Sequence, residues 1–368
     1  MPSLEEIIDE KIGEVRTESL DLSFGEIVNL HANNELIIQP EYQRLFRWSD
    51  VQKSRLIESI LLELPIPQIF VIENSDGVFE LIDGLQRVSS VIQFVDSSQL
   101  KDKDDQPLLP LKLQGCDLIK ELDDKLFNDL SLTLRLRIKR SSIRTVIIKR
   151  QSKSFLRYNM FKRLNTGGES LEPQEIRNCS ARMVGEKGIN FYEFLTQKAS
   201  NPNFRKCIET LPEEDKDEKA DEELVLRFFA AKNAPDLFKS SVKDWLDIYM
   251  EKILLEEIDF DYQSESNQFD NLFEILARTL GENSFVIYKD NQPKGNLKPA
   301  YYEAITVGTC NALDKLMDIS DEVIKQKIIE TVQSNDFKQY TGSGANKKSW
   351  LKNRINTIEN ALLELIQN

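Results

Sequence analysis

The sequence predicts an α+β N-terminal domain, a small sheet with helices, followed by an all-α helical domain. Two observations carry this: short β-branched runs bounded by Gly, Pro, Asn and Asp are confined to the first half, and beyond about Ala181 the apolar residues recur almost only at helical spacing. A length of 368 residues suffices for two domains, each with its own core. The expected division is 1–180 and 181–368.

Leu20 to Leu36 reads as a short strand and a helix. In DVQKSRLIESILLELP the residues Val51, Leu56, Ile57, Ile60 and Leu61 repeat at helical spacing, with Ser49 or Asp50 as N-cap and Pro65 as the stop. QIFVIE and GVFELI are two strands joined by the turn-forming NSDG, a hairpin. The second strand runs into Asp83-Gly84-Leu85-Gln86-Arg87, after which Val88, Val91, Ile92 and Val95 mark a helix. Ser98 to Pro110 is a polar loop, and a Leu- and Asp-rich helical stretch is expected to follow to about Leu134. IRTVIIK is a further strand. Ser152 to Leu164 returns to helical spacing, Asn165-Thr166-Gly167-Gly168 supplies a C-cap, and Pro173 starts the next helix. The second half carries the helical segments ELVLRFFAAK, VKDWLDIYMEKIL, NLFEILARTL, EVIKQKIIETVQ and SWLKNRINTIENALLELIQ. The acidic run Pro212 to Glu223 reads as a mobile solvated loop between helices.

The composition narrows the function. A single histidine, His31, leaves no room for a histidine-metal nuclease or a two-histidine metal site, and it reads as a structural residue at a helix end or turn. Four cysteines without a CxxC pair suggest neither a disulfide framework nor zinc. No apolar run is long enough to span a bilayer and the N-terminus is not signal-like, so the expectation is a cytoplasmic protein without a membrane partner. The net charge of −14 argues against uniform wrapping of a polyanion, yet eleven of residues 135–163 are Lys or Arg and none is Asp or Glu. That stretch can face phosphate.

Three motifs could carry chemistry. In Asp83-Gly84-Leu85-Gln86-Arg87 a glycine between strand and helix lets backbone N–H groups converge on an anion while Arg87 grips phosphate oxygens. Asp83 can cap the helix and Gln86 can reach back as in a capping box, so local chemistry supports a phosphate site and a plain capped helix equally. Pro40-Glu41-Tyr42-Gln43-Arg44-Leu45-Phe46-Arg47-Trp48 interleaves aromatics with Gln and Arg, a pattern that can stack on a base and bond a phosphate. Phe161-Lys162-Arg163-Leu164-Asn165-Thr166-Gly167-Gly168 ends the basic helix. Gly342 to Ser349 only superficially resembles a phosphate loop, lacking glycine before the lysine and a strand leading in.

Taken in order, PEYQRLFRW, LIESILLELPIPQIF, LIDGLQR and FKRLNTGGESLEPQEIRN resemble the N-terminal domain family of GmrSD-type, modification-dependent (type IV) restriction endonucleases. The resemblance implies a ParB/sulfiredoxin-like domain whose DGxQR motif forms a nucleotide-phosphate site. Carried over by position, Asp83, Gln86 and Arg87 would be catalytic. Tyr42, Gln43, Arg44, Gly84, Arg163 and Asn165, again with Arg87, would bind nucleotide and phosphate. Leu85 stands where the family has its first glutamine, Glu172-Pro173 replaces the usual Ser or Thr before the Gln-Glu helix, and the histidine-metal nuclease domain often fused downstream is absent.

The expected function is therefore a nucleotide-binding module of a bacterial anti-phage restriction system, acting on or near DNA. NTP is the ligand or substrate, Mg²⁺ the accompanying ion, and no protein-held metal cluster is expected. Nucleotide hydrolysis is left open, as are a separate nuclease or defence subunit as partner and a homodimer. The alternatives are a non-enzymatic DNA-binding or partner-binding regulator and a Mg²⁺-dependent ParB-like nuclease around Asp83.

Overall fold

A computed structural model describes residues 3–6, 8, 16–38, 48–74, 76–101, 106–149, 160, 172–182, 184–217, 219–316, 318–342 and 345–365. The architecture is α+β with a helical C-terminal region, and the chain divides into two units, Met1–Leu171 and Glu172–Asn368.

The first unit holds strands β1 (Thr17–Ser23), β2 (Leu36–Ile37), β3 (Ile69–Glu73), β4 (Phe79–Asp83) and β5 (Ser142–Ile148), with helices α1 (Phe24–Ala32), α2 (Asp50–Leu61), α3 (Leu85–Asp96) and α4 (Leu132–Arg140). The sheet order is β1-β5-β3-β4-β2. It is mixed: β1 and β5 are antiparallel, as are β3 and β4, whereas β5 with β3 and β4 with β2 run parallel. Residues of α1, α2 and α3, among them Phe24, Ile27, Ile57, Ile60, Val88, Val91 and Ile92, are buried together with Ile69, Val71, Leu81, Ile143 and Ile147 of the strands. The expected helix over 51–61 starts on Ser49, whose hydroxyl accepts the Gln52 N–H while the Gln52 side chain accepts the Ser49 N–H, closing a capping box. His31, in the last turn of α1, turns its ring nitrogens to two carbonyl oxygens, of Leu36 at 3.0 Å and Gln99 at 3.3 Å. It ties the helix to the chain on either side.

The stretch from Leu111 to Ser131 departs from the expected helix. It is an irregular segment with short 3-10 turns at Lys120–Leu122 and Phe127–Asp129, and a regular helix begins only at Leu132 on the Ser131 cap. The reason is a buried carboxylate. Glu58, on the inner face of α2, accepts the N–H groups of Asp117 at 3.1 Å, Leu118 at 2.8 Å and Ile119 at 2.6 Å. Those amides are thereby satisfied without the i−4 carbonyls a helix would supply. One turn earlier Ser54 donates to the Asp50 carbonyl and accepts the Gln114 N–H. Glu58→Ala leaves three part-buried N–H donors without this acceptor, a loss of at most about 1–3 kcal/mol. The expected outcome is a lower urea midpoint in circular dichroism, whereas an unchanged midpoint would show that water replaces the carboxylate.

The second unit comprises α5 (Pro173–Arg182), α6 (Glu186–Ala199), α7 (Pro202–Cys207), α8 (Glu213–Asp217), α9 (Ala220–Asn233), α10 (Val242–Leu254), α11 (Tyr262–Thr279), α12 (Pro299–Ala312), α13 (Asp321–Gln333), α14 (Asn335–Lys338) and α15 (Lys348–Glu364). A small hairpin, β6 (Ile287–Lys289) with β7 (Gln292–Lys294), interrupts them. A cluster of aromatic rings, Phe194, Phe228, Phe229, Phe260, Phe269 and Phe273, packs α6, α9 and α11 at centroid separations such as 5.0 Å for Phe228 and Phe229.

The acidic run is not a solvated loop. It forms α8 and the first turn of α9, where Asp221 and Glu222 are buried. Cations hold them there: Arg205 lies 2.8 Å from Asp221, and Lys219 lies 2.8 Å from Glu222. Glu222 also accepts a hydrogen bond from the Asn178 amide. Three cysteines are quiet chemically: burial pushes the thiols of Cys116, Cys207 and Cys310 up to about 11, so each is protonated at neutral pH.

Candidate functional site

The hairpin delivers Asp83 to the end of β4 by an irregularity in its register. Phe70 lies opposite Asp83 but Val71 lies opposite Leu81, so Ile82 is an extra residue on β4. Such a bulge bends a strand and re-aims its side chains, here at the point where β4 gives way to α3.

Gly84 makes the turn. It has φ 97° and ψ 16°, in the left-handed region, and a Cβ built on it would lie 2.3 Å from Ile69 Cγ2. Both the backbone conformation and the space beside β3 require glycine.

Helix α3 then begins without a side-chain cap. The expected Asp83 and Gln86 capping box does not form, because both side chains have other partners. Asp83 Oδ2 accepts from Arg87 Nη2 at 2.9 Å, an ion pair one helical turn apart, and Gln86 Oε1 accepts the Trp48 N–H at 3.3 Å. The latter bond draws the end of the PEYQRLFRW segment to the turn.

Arg87 is clamped on one side and open on another. Its Nη2 donates to Asp83 and also to the Gln68 carbonyl at 3.1 Å, while its Nε is buried and meets no acceptor among the described residues. The guanidinium thus retains unused donor capacity beside a helix N-terminus whose first-turn amides have no side-chain cap, an arrangement that attracts an anion. Gln68 was not foreseen as a site residue. It acts through its backbone carbonyl, which any residue provides, so the sequence holds no signal for it.

Asp83, Gly84, Gln86 and Arg87 therefore meet at one turn. Tyr42, Gln43, Arg44, Arg163 and Asn165, the other expected site residues, lie outside the described residues, as do Arg47 and the Asn165 to Gly168 cap. The basic stretch divides. Arg144 pairs with Asp21 at 2.7 Å and Lys149 with Glu18 at 2.7 Å, so these two are engaged by acids of β1 rather than offered to a ligand. Arg135, Arg137, Lys139 and Arg140 on α4 form no ion pair among the described residues.

Among the described residues no three His, Cys, Asp or Glu side chains converge as a metal cluster would require. No helix there is long and apolar enough to cross a membrane.

No curated protein and no solved structure matches the chain. One family does: the GmrSD restriction endonuclease, N-terminal domain, over residues 24–181. The match takes in the α2 helix, the hairpin, the β4–α3 turn with Asp83 to Arg87, and the segments that carry Tyr42 to Arg44 and Arg163 to Asn165. Residues 24–181 are accordingly similar to the N-terminal domain of the GmrSD restriction endonuclease, a likeness that points to a restriction system acting on DNA.

Proposed function

We propose that the β4–α3 turn is the phosphate site of a nucleotide-binding module within that restriction system. The observation that carries the reading is Arg87: half-clamped by Asp83 and Gln68, with a buried Nε that has no acceptor among the described residues, at the uncapped start of a helix. The α3 amides bind the phosphate group, Gly84 lets it approach the backbone, and Arg87 supplies the charge. A small mixed sheet with a strand, a glycine and a helix at its site supports the ParB/sulfiredoxin-like comparison.

A phosphate group at Arg87 becomes a second counter-ion for that guanidinium and loosens its bond to Asp83. The Asp83 carboxylate is then available to a Mg²⁺ ion that arrives with the nucleotide. Such an ion needs only one or two carboxylates besides phosphate oxygens and water, and Asp83 fits that requirement. Gln86, already bonded to the Trp48 amide, is placed to orient water. The reading assigns DNA cutting to a separate subunit, since one carboxylate at the turn does not make a nuclease centre.

The test is phosphate release from ATP, GTP and CTP with Mg²⁺, with and without DNA, for the native protein and Arg87→Ala. Release that is lost in Arg87→Ala is the expected result. Release that continues unchanged without Arg87 would place the chemistry elsewhere.

A further inference from the structure

We infer that helix α4, with the depression it forms against the end of α2, is a second anion site and takes the phosphodiester backbone of DNA. The inference rests on the reading of the protein as a DNA-acting component and is independent of the nucleotide turn.

Four of the nine residues of α4 are cations, and none of the four is ion-paired among the described residues. The contrast with Arg144 and Lys149, immediately downstream and both paired, is informative in a chain with 62 acidic residues. Arg137 and Arg140 stand three apart, on one face of the helix, where like charges repel. The helix C-terminus tolerates them through its dipole. That accounts for their survival but not for what they surround.

They line an open depression of about 460 Å³, floored by the apolar turn from Ile60 to Ile66 and completed by Ser141 and Ser142. Arg137 spends one donor, Nη1, on the Leu61 carbonyl at 3.4 Å, and Arg140 has no partner among the described residues. Ser141 donates to the Arg137 carbonyl at 2.8 Å, which leaves the exposed Ser142 hydroxyl as a donor beside the two guanidinium groups. Glu63 lies on the same rim but pairs with neither arginine, so an anion would sit on the arginine side.

Openness decides between ligands that share phosphate chemistry. A small-molecule site encloses most of its ligand, whereas here Glu63, Leu64, Pro65, Arg137, Arg140 and Ser142 are all exposed. A free nucleotide would remain largely in water. A polyanion needs only to touch such a surface, because its affinity sums over several phosphates and the counter-ions they release.

The test is fluorescence anisotropy of a labelled DNA duplex with the full chain, titrated across a series of salt concentrations, for the native protein, the double variant Arg137→Gln/Arg140→Gln and the control Arg144→Gln. The double variant is expected to weaken binding about tenfold or more at low salt and to reduce the slope of log affinity against log salt by about 2, one for each phosphate no longer neutralised. Arg144→Gln is expected to leave the slope unchanged. Thermal unfolding verifies folding, which exposed, unpaired arginines should not alter. Nucleoside triphosphate binding is read in parallel and is expected to be native in the double variant. An unchanged DNA slope in the double variant overturns the inference, as does an equal loss in Arg144→Gln, which would reduce it to net charge. Lost nucleotide affinity with intact DNA binding would assign the depression to a small phosphate ligand instead. A native protein that does not bind DNA also overturns it, while nucleotide binding at Arg87 would stand or fall separately.

Discussion

Arg177→Ala is expected to destabilise the helical unit by about 3–5 kcal/mol, the range for removing one partner from a buried ion pair. Arg177, on α5, is 1% exposed and serves four acceptors: Nε donates to Asp247 at 2.8 Å, Nη1 donates to Gln174 at 2.8 Å and to Glu223 at 3.0 Å, and Nη2 donates to the Lys243 carbonyl at 3.4 Å. The chain of charge continues from Glu223 to Arg227 at 2.9 Å, from Arg227 to Glu303 at 3.6 Å, and from Glu303 to the buried Arg354. Five helices, α5, α9, α10, α12 and α15, are joined by it. Burial alone would raise the Glu223 carboxyl, but the guanidinium groups of Arg227 and Arg177 overcome burial and hold it below its ordinary range. A carboxyl lowered in this way contributes stability above its unfolded pKa and loses it as pH falls through its folded value. Removing Arg177 leaves the buried Asp247 and the half-buried Glu223 with less compensation. Urea unfolding followed by circular dichroism measures the loss, and a loss below about 1 kcal/mol, the level of a surface pair, would show that water reaches the network.

Gly84→Ala is the second large effect. The added Cβ meets Ile69 Cγ2 at 2.3 Å and Ile69 Cβ at 2.9 Å, and the residue must hold φ 97°. A left-handed backbone costs an L residue about 1–2 kcal/mol and overpacking about 1–3 kcal/mol, so about 2–5 kcal/mol is expected in denaturant titration. Relief of the clash displaces the turn, and nucleotide affinity should fall with it. Native stability and native nucleotide affinity in Gly84→Ala would together mean that the turn is neither tight nor functional.

Much of the fold was legible because local and tertiary signals agree. The Ser49 and Gln52 capping box, the hairpin turn ending at Gly77, and the alternation of Val88, Val91 and Ile92 each announce their element and then pack as announced. The errors share one cause: a polar side chain distant in sequence took over the backbone or the charge. Glu58 drew the amides of residues 117–119 out of a helix, and Arg177, Arg205 and Asn178 drew an acidic run into the core. The β6–β7 hairpin escaped because its strands are only three residues long. It is made by Asp290 and Asn291, both at positive φ, as a tight hairpin turn demands.

The site was legible in composition but not in connectivity. Gly84 and Arg87 were identifiable from the strand, glycine and helix pattern. That Asp83 would hold Arg87 rather than cap α3 depends on the bulge at Ile82 and on the Gln68 carbonyl, and neither has a local signature. The QEIRN segment that contributed to the family resemblance contains Gln174, Arg177 and Asn178, and the structure gives all three to the buried network of the helical unit.

Isothermal titration of the native protein and Arg87→Ala with a nucleoside triphosphate and Mg²⁺ measures whether Arg87 at the β4–α3 turn holds nucleotide phosphate. A hydrogen bond from a charged group contributes about 1.5–3 kcal/mol, so affinity lowered about ten- to a hundredfold is expected in Arg87→Ala, with folding verified by circular dichroism. Equal affinity in the two proteins would contradict that role.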